Sequence, residues 1–327
     1  MEPRDTLTIA AVQFEMAEDD KDANLATMFR FIDRAADAGA DIVAFQEIAT
    51  TGYNYLFEMD RAKLLATAEC TRTGPTATRI HAKSKERGIV VLYGILEKDP
   101  ADGDRMYNTY VVCTPDALNH FQHRKVHAFE NSEILPGDRL DVFELFGWTM
   151  GCLICYDNNL VENPRVLCLK GADIVFAPHQ TGGFDIASRG MGRIPLDLWR
   201  NRGKNPAAIR QEIDGPKGYQ WIRKWLPARA YDNNLFYVFA NGVGIDGPEV
   251  RVGCSMIVDP EGIVLEETRA LGDDMIVATI DKAMRVRTCA GGHIKARRPG
   301  LYDKIVEPIR EIDTRLARNE LSGHKIK

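Results

Sequence analysis

The chain predicts an α/β fold of two related halves packed as one sandwich. Three observations lead there. Strand-like and helix-like stretches alternate through the first half, and the same order returns in the second. A short string, Gly39-Ala40-Asp41-Ile42-Val43, recurs as Gly171-Ala172-Asp173-Ile174-Val175. Each copy closes a strand–helix–strand unit, which requires a parallel pair and a right-handed crossover.

The elements follow in order. Leu7 to Gln13 is an apolar run suited to a buried strand. Leu25, Met28, Phe29, Ile32 and Ala36 then recur at helical spacing, with Gly39 as the stop. Asp41 to Phe45 reads as a strand, and Asp60 to Glu69 and Pro75 to Arg87 as helices, the second ended by Gly88. Ile89 to Leu96 and Met106 to Cys113 are strands joined by the turn-rich Asp99-Pro100-Ala101-Asp102-Gly103. In the second half, Trp148 to Ile154 and Asp173 to Ala177 are strands flanking a helix over Glu162 to Lys170. Further strands are expected at Leu235 to Ala240, Val250 to Val258, Ile263 to Glu266 and Met275 to Ile280.

Composition narrows the function. The 327 residues are 45% hydrophobic and carry 42 basic against 47 acidic side chains, net −5. A mildly acidic chain without a basic block is a poor nucleic-acid binder. No apolar stretch approaches the roughly 20 residues that span a bilayer. The charged start, Met1-Glu2-Pro3-Arg4-Asp5, lacks the apolar centre of a signal peptide. Seven cysteines without regular spacing do not form a disulfide framework. The expectation is a cytoplasmic protein with reduced thiols, acting on a small molecule without cofactor or metal.

In parallel sheets, ligand sites gather at the carboxyl ends of strands. Glu47 lies just beyond the strand Asp41–Phe45, and Cys155 just beyond Trp148–Ile154. If the halves pair, the two side chains converge on one edge. A thiol at a strand end, ahead of a helix, meets backbone N–H groups that favour the nucleophilic thiolate. A buried apolar cysteine is the competing reading. Glu47 follows an apolar run, so desolvation would raise its pKa towards the range of a general base. Lys125, in Gln122-His123-Arg124-Lys125-Val126-His127, is either a solvated charge or a buried ammonium that stabilises an oxyanion.

Two motifs are set aside. Cys152 and Cys155 form C-x-x-C, but Cys152 falls inside a strand and the odd separation sends the thiols to opposite faces. No second pair completes a four-cysteine zinc site. Gly242-Val243-Gly244-Ile245-Asp246-Gly247 fits G-x-G-x-x-G, yet Pro248 and the strand-like run after it open no helix, so it reads as a strand–loop–strand connection.

Taken together, these segments resemble the nitrilase superfamily of carbon–nitrogen hydrolases over most of the chain. Phe45-Gln46-Glu47 with Thr51-Gly52-Tyr53 is similar to its glutamate segment. His123-Arg124-Lys125-Val126-His127 with Leu135-Pro136-Gly137-Asp138 is similar to its lysine segment, and Gly151 to Asp157 with Glu162 and Arg165 to its cysteine segment. Arg229-Ala230, Asn233-Asn234, Asn241 and Arg297 to Tyr302 fit later signals. Gln46 and Val161 stand where the family often has proline.

The resemblance implies a four-layer α-β-β-α sandwich, one hydrolase domain over 1–302, and a tail over 303–327 that would contact a partner in a homodimer or larger assembly. It implies a triad of Glu47 as base, Lys125 as oxyanion partner and Cys155 as nucleophile, with the Tyr156 backbone N–H completing the oxyanion site. An accessory glutamate is expected at Glu130, with Glu133 as competitor. Candidate substrate contacts are Tyr53, Tyr156 and Asn158, together with His179, Gln180 and Thr181 after the strand Asp173–Ala177, where a plain turn is the alternative. Tyr156-Asp157 favours amide or ureido substrates, because Trp-Glu is usual there in true nitrilases. The long stretch 182–219 carries six basic residues between Ser188 and Arg210 (Arg189, Arg193, Arg200, Arg202, Lys204, Arg210) and one acidic, Asp197. It reads either as a binding loop whose arginine holds a substrate carboxylate or as a solvated or subunit-facing loop.

Overall fold

The alternation along strand β1 (Thr6–Gln13) decides the layering. Leu7, Ile9 and Ala11 enter one apolar cluster, while Ala10 and Val12 enter another. Period-two alternation with both faces apolar requires cover on both sides. A computed structural model, describing residues 1–183, 189–308 and 314–317, supplies that cover.

The first half continues with α1 (Lys21–Asp37), β2 (Ile42–Ala44), α2 (Tyr55–Glu58), α3 (Arg61–Thr67), α4 (Pro75–Arg87), β3 (Val90–Lys98), β4 (Met106–Thr114) and β5 (Ala117–Arg124). The second runs through β6 (Val142–Leu145), β7 (Trp148–Cys152), α5 (Glu162–Leu169), β8 (Ile174–His179), α6 (Leu196–Arg200), α7 (Pro206–Asp214), α8 (Tyr219–Asn233) and β9 (Phe236–Asn241). Strands β10 (Val243–Asp246), β11 (Glu249–Val252), β12 (Met256–Val258), β13 (Val264–Glu267) and β14 (Asp274–Asp281) and helix α9 (Cys289–Lys295) follow.

Two six-stranded sheets form, ordered β14-β1-β2-β3-β4-β5 and β13-β12-β9-β8-β7-β6. Between them lies one cluster holding Ile9, Ile42, Leu92 and Tyr110 against Met150, Ile174, Phe176 and Val238. Helix α1 packs Leu25, Met28 and Phe31 on the outer face of the first sheet. Helix α8 packs Ile222 and Leu226 on the outer face of the second. The result is the expected four-layer α-β-β-α sandwich.

The repeated string has one physical meaning in both halves. Gly39 and Gly171 adopt positive φ (76° and 94°), turning the chain after α1 and α5. Asp41 Oδ2 accepts from Thr8 N at 2.9 Å, and Asp173 Oδ2 accepts from Thr149 N at 2.9 Å. Each carboxylate thus ties the start of its strand to the parallel neighbour, and each meets an arginine, Arg4 and Arg285 respectively.

One predicted strand departs from expectation. The run Val250–Val258 is two strands, because Gly253 and Cys254 both take positive φ (63° and 60°) and break it. The G-x-G-x-x-G string lies on the β10–β11 hairpin, with Gly247 at its turn. The stretch after β8 carries two short helices, α6 and α7; Ser188, where its basic part begins, lies outside the described residues. In the tail, Arg315 donates to Asn131 O at 3.2 Å, packing that segment on its own chain. Among the described residues no helix is long and apolar enough to cross a membrane.

Candidate functional site

Glu47 sits three residues beyond β2, where the chain leaves the first sheet. Ile48 after it adopts φ 48°, unusual for a β-branched residue and worth about 1–2 kcal/mol of strain. The turn is pressed so closely on β3 that only glycine fits at position 94. A Cβ there would lie 2.2 Å from Ile48 N and 2.9 Å from the Glu47 carbonyl carbon. Gly94→Ala should therefore displace the Glu47 backbone and lower kcat/KM about 100-fold, measurable by steady-state kinetics beside a thermal melt.

Lys125 follows β5 and is fully buried. Its Nζ donates to Glu47 Oε1 at 2.7 Å and to Glu130 Oε1. Asn108 Nδ2 on β4 donates to the same two oxygens, at 2.7 and 2.9 Å. Phe129 N donates to Glu130 Oε2 at 2.9 Å. Four polar side chains thus meet with no water access, and of the four oxygens of Glu47 and Glu130 it is Glu47 Oε2 that is buried without a partner.

Burial, with the charge of a Cys155 thiolate adding to it, pushes Glu47 well above the usual carboxylate range against the pull of Lys125. For Glu130 burial acts the same way, but Lys125 and backbone N–H groups outweigh it and hold the carboxyl low. Burial alone would lower Lys125; Glu130 and Glu47 overcome it and keep the ammonium charged. Environments that drive two neighbouring carboxyls apart are how a proton acceptor and a fixed anion are made from the same residue type.

Cys155 opens a short 3-10 turn, Cys155–Asn159, at the end of β7 and itself takes φ 48°. The turn is tied to the lysine segment by Asp157, whose carboxylate accepts from Ile154 N at 3.1 Å, Val126 N at 3.3 Å and His127 N at 2.8 Å. His123 Nε2 lies 3.3 Å from the same group. Arg229 of α8 closes the other side, donating to Asn158 O and Asn159 O at 3.0 Å each. Cys152 lies in the same inter-sheet cluster as Cys155, so the two do not face opposite ways. Strand geometry ends at Cys152, and alternation does not carry past it. Burial pushes the Cys152 thiol up, which keeps it protonated.

The remaining candidates separate. Tyr53 is buried beside the cluster, with Lys125 Nζ 5.5 Å from its ring centre and its hydroxyl unpartnered. Tyr156 packs edge-on to Phe129 at 5.6 Å, and that ring lies 4.7 Å from Lys125 Nζ. Asn158 is fully buried and bonds to backbone. His179 stacks on Trp225 at 5.3 Å, Gln180 Nε2 donates to Glu47 O at 2.8 Å, and Thr181 N donates to Asn241 Oδ1 at 2.8 Å. Glu133 turns away to Arg61 at 2.5 Å. In the basic stretch, Arg202 donates to Leu271 O and Arg210 to Arg269 O, whereas Arg189, Arg193 and Arg200 are exposed, Arg200 pairing with Asp197 at 3.2 Å. Asn108 and the structural role of Asp157 were not anticipated. An asparagine inside an apolar strand was the one available signal for the first.

A buried glutamate–lysine pair thus lies beyond strands β2 and β5 of one sheet and a cysteine on a strained turn beyond strand β7 of the other. The family model of carbon-nitrogen hydrolases matches residues 8–288, and the chain belongs to that family. It is 30% identical to an (R)-stereoselective amidase of Pseudomonas sp, covering 80% of each chain. It is 28% identical to a nitrilase of Pyrococcus abyssi over 84% of this chain and 89% of that one. Among solved structures it is similar to an amidase from Nesterenkonia sp. AN1, with a TM-score of 0.68, 20% identity, and 93% of this chain and 98% of that chain covered.

Proposed function

We propose that the chain hydrolyses the carbon–nitrogen bond of a linear amide or an N-carbamoyl amino acid through a cysteine thioester. The observation that carries this reading is the fully buried Glu47–Lys125–Glu130 cluster, within reach of the charge of Cys155. Glu47 takes the thiol proton and Sγ attacks the carbonyl carbon. Lys125 Nζ and the Tyr156 backbone N–H hold the oxyanion. Glu47 then passes its proton to the departing nitrogen, ammonia leaves, and the acyl group remains on sulfur. Water attacks the thioester as Glu47 accepts its proton, and the acid departs as the thiol re-forms. Glu130, held ionised, keeps Lys125 charged and in place. For a carbamoyl amino acid, the exposed arginines of the basic stretch, Arg189, Arg193 and Arg200, are the candidates to meet the carboxylate, Arg200 being already paired with Asp197 at 3.2 Å.

An ammonia-release screen of amides, carbamoyl amino acids and nitriles tests this. Acid and ammonia from an amide or ureido substrate are expected. Turnover of nitriles alone would replace the reading with a nitrilase. The base must be ionised to act, so activity should rise with pH through a limb above the ordinary carboxylate range, as the raised Glu47 demands. Glu47→Gln should remove that limb and lower kcat about 1,000-fold.

A further inference from the structure

The two strained turns that bring the reacting groups together come from different halves of the chain, and consecutive residues at the end of β8 reach both. Gln180 Nε2 donates to the main-chain oxygen of Glu47 at 2.8 Å. Asn158 Nδ2 lies 3.1 Å from His179 Nε2, and the same amide donates to Leu153 O at 2.7 Å and Cys155 O at 3.2 Å. Tyr237 OH donates to Asn158 Oδ1 at 3.2 Å, which fixes the amide's orientation. The two Asn158 N–H hydrogens serve three acceptors, so one is shared between Cys155 O and His179 Nε2; Nε2 thus accepts, and the neutral ring carries its proton on Nδ1, which is buried without a hydrogen-bond partner. Burial holds the ring neutral, lowering its pKa to about 3.

None of these side chains is built to move. His179, Gln180 and Asn158 are fully buried. The His179 ring is stacked on Trp225 at 5.3 Å and meets Phe239 at 4.7 Å. Gly242 leaves room for Gln180, since a Cβ there would fall 1.8 Å from its Oε1. Both supported turns carry a non-glycine residue at φ 48°, Ile48 and Cys155. Such conformations persist only where surrounding contacts over-determine them.

We propose that His179 and Gln180 form a positioning brace, Gln180 acting on the Glu47 turn directly and His179 on the Cys155 turn through Asn158. Its function is to set the distance between base and nucleophile, not to touch substrate. The inference rests on the reading of Cys155 as nucleophile and Glu47 as base.

The test uses Gln180→Met and His179→Leu, which keep volume and remove the bonds, with His179→Gln to restore an acceptor near the place of Nε2. For each, kcat and KM on a hydrolysed amide are measured beside the pH dependence of Cys155 alkylation by iodoacetamide and the melting temperature. Gln180→Met and His179→Leu should lower kcat 10- to 100-fold with KM within twofold, and slow alkylation at neutral pH. His179→Gln should recover most of the His179→Leu loss. Should Gln180→Met fail to fold, Gly242→Ala displaces the same amide and should reproduce its kinetic loss. A rise in KM at unchanged kcat would make these residues substrate contacts and overturn the brace. A lower melting temperature with unchanged kcat and alkylation would reduce them to packing and also overturn it. Alkylation needs no substrate, so the brace can fail while amide hydrolysis stands, and the reverse.

Discussion

Cys155→Ala should abolish turnover, lowering kcat at least about 100,000-fold, while leaving the fold in place. In the proposed mechanism Cys155 is the covalent nucleophile, so its removal eliminates the route, and what remains is binding and oxyanion stabilisation over the uncatalysed reaction. The fold survives because the turn is held by groups other than the sulfur. Asp157 fastens it to Val126 and His127, and Arg229 holds the carbonyls of Asn158 and Asn159. Losing one buried sulfur costs about 1 kcal/mol. Cys152 cannot substitute, since burial keeps its thiol protonated. Ammonia release and a thermal melt on the purified variant make the check. Retention of even one-hundredth of the activity would remove Cys155 from the mechanism.

What could be read from the sequence follows a physical division between local and non-local interactions. Helix α4 was legible end to end, because Pro75 fits the first turn and Gly88 supplies the left-handed stop (φ 66°). Parallel strands such as β8 were legible as short apolar runs, because both faces are covered. Strand β6 was not, since four residues, Val142 to Leu145, are too few for a period to show. The break inside Val250–Val258 was hidden because Cys254 in a left-handed conformation looks like any strand residue.

At the site the same division holds. The proposed catalytic residues Glu47, Lys125, Cys155 and Glu130 lie in segments whose order in the chain made the resemblance. Where Gln180 and His179 bond was not readable. Gln180 meets the oxygen of Glu47, 133 positions away, and His179 meets Asn158, whose own sequence neighbourhood is unremarkable. Position at a strand end suggested substrate contact; the three-dimensional order of the sheets sets Gln180 against the Glu47 main chain and His179 against the Asn158 side chain. Asn108 is the same case, a polar residue in an apolar strand whose partners are set by the pairing of β4 with β3 and β5.

Lys125→Met should carry the largest combined penalty, losing at least about 1,000-fold in activity and about 3–5 kcal/mol in stability near pH 8. The methionine fills the space of the lysine stem but leaves Glu47 and Glu130 facing each other, both fully buried, with only the Asn108 amide between them. Two buried carboxylates without a cation cannot both stay ionised, so the Glu130 carboxyl, held low in the native protein, would move up. The sign of the pH dependence follows. A folded-state pKa raised above the unfolded value gives stability that is present at low pH and lost as pH rises through the raised value. The deficit of Lys125→Met against wild type should therefore be smaller at pH 5 than at pH 8, as urea titrations at both pH values would read. Adding Glu130→Gln removes one of the two charges. The double variant should regain much of the stability lost at pH 8 and none of the activity. A pH-independent deficit, or activity restored with stability, would show that Lys125 serves the fold in some way other than by holding these two carboxylates together.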